Sequence, residues 1–169
     1  MTRPLLADAF DHHVWATLRV IDASLGLSAE QLASTVPGTY GSILDTMRHL
    51  VGADAGYLFA LTEGRLQMIE AERMDLPGLR SEMGRHRADW AAVIDVSHDP
   101  DLTVIRHRDD GSESRAPLGI RLAQALDHGA DHRSQICTGL TELGLTPPEI
   151  DAWAFADEAG RLSETPPTA

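Results

Sequence analysis

The sequence predicts an all-α protein, a bundle of four long helices with a small β-type insertion before the last of them. Three observations carry that prediction. Four stretches of about twenty residues place apolar side chains at alternating three- and four-residue steps, the pattern of a helix with one face turned to a core. A single stretch, between Asp99 and Pro117, drops that period for β-branched residues and a turn signal. No internal repeat and no glycine-rich phosphate loop interrupts the order.

The first helix is read from Leu5 to about Leu25, where Leu6, Phe10, His13, Thr17, Val20 and Ser24 keep the bundle step and Leu27 continues it. His12 and His13 lie in it, and His13 takes the inward stripe as a hydrogen-bonded core histidine. Ser28 followed by Gln31 has the spacing of a capping box, which predicts a short helical piece closed by Pro37-Gly38. The second long helix runs from Gly41 or Ser42 to Thr62, with Ile43, Met47, Leu50, Asp54 and Leu61 on one face. His49 sits on the flank of that wheel. Taken alone, this position favours an exposed histidine, which gains interest only if the flank meets the fourth helix.

The third long helix is read from Leu76 to Val96, with Pro77 in its first turn, where a missing N–H costs nothing. His86 falls on its inward stripe, as a core histidine before a competing ligand. Leu102 to His107, the Asp109-Asp110-Gly111 turn and Ser112 to Ala116 predict a hairpin, with His107 toward solvent or at a cleft mouth. The fourth long helix starts near Pro117 and ends at Leu143, before Gly144 as its C-terminal cap. Pro147-Pro148-Glu149 opens a short last helix through Asp157. Residues 1–160 form one helical domain, and 161–169, rich in Pro and Thr from Ser163, are expected to be a flexible tail.

Composition narrows the function. A net charge of -12, with 26 acids against 14 bases, repels phosphate backbones and anionic lipid surfaces, so neither nucleic acid nor membrane is an expected partner. The lone cysteine, Cys137, excludes an internal disulfide and a thiolate zinc cluster, and lies mid-helix, where a thiol packs as a small hydrophobe. With no secretory layout at Met1-Thr2-Arg3-Pro4, a reducing cytoplasm is the expected compartment.

The chemistry concentrates in the fourth long helix. His128 and His132 stand four residues apart, about 40° around and about 6 Å along the axis, so both rings can reach one cation. The same spacing also suits histidines that merely pack or hydrogen-bond. His132 takes an inward slot, where a buried imidazole needs an acceptor or a cation. Gly129 between them thins the helix enough to admit a neighbour or a ligand. Glu63, Asp54 and Asp131 are candidate acids by proximity alone, each read first as a solvated helix acid.

Met47-Arg48-His49-Leu50, the run from Leu126 through Ile136 with its His-x-x-x-His-Arg-x-Gln pattern, and the Leu143 to Pro148 exit together resemble the DinB/YfiT-like superfamily of metal-dependent four-helix-bundle enzymes. The likeness spans about Leu5 to Asp157. It implies a divalent metal ion, nickel or zinc, held by His49, His128 and His132, with Arg133 and Gln135 as supporting groups and not ligands. It also implies a homodimer acting on a small-molecule substrate, as a transferase using a low-molecular-weight thiol as cosubstrate. The alternatives are a metal-dependent hydrolase and a non-enzymatic metal-binding or dimerisation module. No catalytic base is assigned.

Overall fold

The computed structural model describes residues 3–95, 99–108 and 110–165. Its elements follow the predicted order: α1 (Ala7–Ser24), α2 (Ala29–Leu32), α3 (Ile43–Leu61), α4 (Leu76–Asp95), β1 (Thr103–His107), β2 (Glu113–Pro117), α5 (Leu118–Glu142) and α6 (Ala152–Glu158), with one 3-10 turn at Ala71–Arg73 before α4. The long helices α1, α3, α4 and α5 form the bundle. Each packs on two others, α1 and α3 both lying against α4 and α5. The core they share is Phe10, Val14, Met47, Leu50, Leu79, Met83, Trp90, Ile136 and Leu140, all essentially sealed from water.

Local chemistry sets the boundaries. Ser28 and Gln31 form the predicted reciprocal box, Gln31 N–H donating to Ser28 Oγ at 3.2 Å and Ser28 N–H to Gln31 Oε1 at 2.9 Å. Ser42 caps α3 by accepting from the Asp45 N–H. At the far end of α5, Gly144 takes a φ of 75°, which closes the helix at the position predicted. The antiparallel hairpin pairs Thr103 with Pro117 through to His107 with Glu113. Among the described residues no helix is long and apolar enough to cross a membrane.

One boundary moved by several residues. The last helix begins at Ala152 and not at the proline pair, because Asp151 accepts from the Trp153 and Ala154 N–H groups and supplies the cap that no residue of Pro147-Pro148-Glu149 provides. Trp153 in this helix is 72% exposed. The expected Val96 end of the third long helix, Asp109 of the turn and the tail beyond Thr165 lie outside the described residues.

Candidate metal centre

Five of the eight histidines turn inward or toward one another, and two of them do so because of two residues the sequence presents as ordinary. The first is Asp54. Its periodicity put it on the core face of α3, and its chemistry suggested solvent; the structure corrects the latter, since Asp54 is only 2% exposed. It is satisfied by three donors. His13 Nε2 lies 2.8 Å from Oδ1, His86 Nδ1 lies 2.7 Å from Oδ2, and the Trp90 indole N–H reaches both oxygens at 3.2 and 3.1 Å. Burial pushes this carboxyl upward, but the His13 and His86 hydrogen bonds outweigh it and hold Asp54 well below the usual carboxylate range.

The second is Gly129. A Cβ there would stand 2.6 Å from His13 Nδ1 and 2.8 Å from Arg133 Nη1, so the glycine exists to let the His13 ring of α1 lie against α5. What it admits is a neighbouring helix's side chain and not a ligand. Arg133 Nη1 then lies 3.1 Å from His13 Nδ1 and 3.2 Å from Thr17 Oγ1. A guanidinium only donates, so His13 Nδ1 accepts and its proton sits on Nε2, pointing at Asp54. Arg133 is buried, and that burial lowers its pKa to about 10, with Asp54 opposing the shift. His13 and His86 are thus bound to a carboxylate in the bundle's centre, as a core role predicts.

The remaining three face a different way. His49 and Asp54 are five residues apart on α3, about 140° around the helix, so one points to the centre and the other to the groove between α3 and α5. There the His49 flank does meet α5. His49, His128 and His132 each offer one ring nitrogen, and those nitrogens lie within 4.8 Å of one another. His128 Nε2 and His49 Nε2 are 3.0 Å apart. Tyr40 stacks on His49, rings 3.9 Å apart and 14° from parallel, and Tyr57 sits edge-on to His128 at 5.8 Å.

Gln135 fixes one of these rings. Its Oε1 accepts the Tyr40 backbone N–H at 2.8 Å, and its Nε2 donates to Asp131 Oδ2 at 3.0 Å. With the amide oriented by those two partners, the contact of Oε1 with His132 Nδ1 at 3.2 Å requires that Nδ1 carry the proton. His132 Nε2 is left with its lone pair. Burial, then the neighbouring His132 and His49 rings, lower the His128 pKa to about 4; burial, then His132, lower that of His49. His49 and His128 are thereby held toward the neutral form, the one that binds a metal.

This donor set fits a borderline divalent cation. Imidazole nitrogens sit about 2.0–2.1 Å from zinc, so two of them lie at most about 4.2 Å apart, and the widest pair here is at most about 0.6 Å beyond that. No thiolate is at hand: Cys137 is half-buried, and burial pushes its thiol pKa up. Among the other candidates, Glu63 is exposed at a positive φ of 52°, Asp131 is hydrogen-bonded to Gln135 and favours the charged form of His128 from a distance, and His107 pairs with Glu113 on the hairpin while bordering a cavity. Sequence reasoning missed Tyr40, whose only signal was its place beside the cap of α3.

A four-helix bundle with a three-histidine cluster in one groove and a carboxylate-bound pair in its centre defines a class of helical proteins compatible with a divalent metal. The chain belongs to the DinB family, whose model matches residues 1–166. It is also similar in fold to the crystal structure of a DinB-like protein from Bacillus cereus, with a TM-score of 0.61 at 15% identity, over 88% of this chain and 99% of that one. No curated protein matches the chain.

Proposed function

We propose that this protein is a metal-dependent enzyme that joins a low-molecular-weight thiol to a small electrophile, with His49, His128 and His132 holding one nickel or zinc ion. The observation that carries the proposal is the convergence of three imidazoles, with no carboxylate hydrogen-bonded to any of them among the described residues. Such a set leaves coordination places for water or substrate. When bound there, the cation would lower the pKa of a thiol placed on it and so generate the nucleophile near pH 7.

The chain's own residues supply the rest. Gln135 keeps the proton of His132 on Nδ1, which leaves the lone pair on Nε2, and Asp131 holds Gln135 in turn. Tyr40 covers one face of His49 while remaining 57% exposed, so the groove stays open to small molecules. In the overall reaction the thiol sulfur forms a bond to carbon, the leaving group departs with its electron pair, and the thiol proton passes to solvent.

The test is elemental analysis of protein purified without added metal and then loaded with nickel or zinc, followed by a screen of thiols against monobromobimane. One metal per chain, thiol-dependent turnover, and loss of both in His128→Ala are expected. Stoichiometric metal without thiol dependence would overturn the transferase reading in favour of a hydrolase or a binding module. Failure to retain any metal would overturn the centre itself.

A further inference from the structure

His86 has one ring nitrogen that the network at the bundle's centre leaves unused. Asp54 is a carboxylate and only accepts, so the 2.7 Å contact between its Oδ2 and His86 Nδ1 puts the proton on Nδ1. In the neutral ring the lone pair is then on Nε2. That nitrogen makes no hydrogen bond among the described residues, although His86 is only 5% exposed. Nor is it sealed, since the enclosed side-chain atoms without a partner belong to Asp8, Arg19 and Arg121. A buried ring with an unpartnered acceptor still open to solvent meets that solvent through a cavity, and His86 lines one.

That cavity, of about 580 Å³, lies between α3, α4 and the segment that joins them. Ala55 and Leu58 form its α3 wall, and Leu66, Met68 and Ile69 of the joining segment add apolar surface. Its charged residues are on α4, where Glu82 and Arg85 pair with each other and Asp89 remains. The remaining acid repels an anion, and the apolar walls penalise an ammonium ion stripped of water. An uncharged molecule with an apolar body and one O–H donor suits both. The cavity is separate from the histidine groove, since none of His49, His128 and His132 lines it.

We propose that this cavity is a second small-molecule site, in which His86, its Nδ1 proton held by Asp54, accepts a hydrogen bond at Nε2 from the hydroxyl of a phenol-like ligand. The volume is that of an ordinary ligand pocket. The ligand's O–H satisfies an acceptor that the protein leaves unpaired, and its ring covers the walls formed by Leu58, Leu66 and Ile69, so each half of the molecule has a counterpart. The site stands independently of the metal chemistry proposed for the groove.

The test compares phenol with anisole, the same ring with its donor methylated, each titrated into the metal-free full chain while the imidazole nitrogen resonances are followed by NMR. Phenol should bind about fivefold tighter than anisole and shift the Nε2 resonance of His86, identified by its loss in His86→Leu, while the nitrogens of His49, His128 and His132 keep their positions. In His86→Leu the two ligands should bind within about twofold of each other. Should that variant loosen the network around Asp54, the nitrogen shift in the wild type decides by itself. No binding of phenol, equal affinity for phenol and anisole in the wild type, or a shift of the groove histidines in place of His86 would overturn the site.

Discussion

Gly129→Ala is the most severe small change the structure offers. The added methyl carbon would fall 2.6 Å from His13 Nδ1, 2.8 Å from Arg133 Nη1 and closer still to His13 Cε1, and both neighbours are buried, so neither side chain can swing into solvent. Alanine in place of glycine in a helix interior contributes about 1 kcal/mol of stability. Against this stands overpacking, about 1–3 kcal/mol. Shifting His13 also weakens its hydrogen bond to the Asp54 carboxylate, worth about 1.5–3 kcal/mol. The balance is a loss of about 2–4 kcal/mol. For a chain of this length each kcal/mol moves Tm by about 2–4 °C, so the variant should melt about 5–15 °C below the wild type. Gly84→Ala is the control: it too lies inside a helix, α4, but nothing stands within 4 Å of the place its methyl carbon would take. It should raise Tm by about 2–4 °C. Thermal melts followed by circular dichroism compare the two, and a Gly129→Ala protein melting at or above the wild type would refute the assignment of that glycine to His13.

Asp54→Asn keeps the shape of the buried acceptor but turns an amide toward donors, so it should cost about 3–5 kcal/mol at pH 7, read by urea unfolding. Because the folded carboxyl lies below its ordinary value, its contribution is present above about pH 4 and lost as pH falls through the folded value. The stability gap between wild type and Asp54→Asn should therefore narrow steadily as the pH is lowered from about 5; a constant gap would contradict the network. Gln135→Leu removes the acceptor that holds the His132 proton on Nδ1, so zinc affinity in a chelator competition should drop about 10–100-fold, with Gln135→Glu recovering much of it. Unchanged affinity in Gln135→Leu would show that the ring needs no such support.

The fold was legible because each long helix repeats its apolar step over several turns, and each boundary that held, Ser28, Ser42 and Gly144, is marked by a residue whose cap chemistry is local. Where local chemistry was shared between neighbours, as at Pro148 and Asp151, the boundary slipped by a few residues. The site was legible only in part. His128 and His132 are set by one helix's geometry, whereas His49 depends on how α3 meets α5, which no period in either helix encodes. Asp54 shows the limit most sharply. Its position on the wheel said core and its side chain said solvent, and the conflict is resolved only by donors from α1 and α4, 41 and 32 residues away.

The two histidine clusters are best understood through the placement of that single acid. A carboxylate set among the facing nitrogens of His49, His128 and His132 would favour their protonated form, which has no lone pair for a cation, whereas an acceptor behind the ring, as Gln135 stands to His132 Nδ1, leaves the facing lone pair free. Five residues of α3 prevent this, since they turn Asp54 to the centre while His49 faces the groove. In the centre Asp54 fastens α1 and α4 to α3, and His13 passes the connection through Arg133 to α5. Arg133 is the residue next to His132. The inner network therefore holds the backbone of α5 at the height where its histidines meet His49 without placing a carboxylate among them, so the acid contributes to the groove chiefly by position, and its charge only weakly opposes the lowering of the His128 pKa.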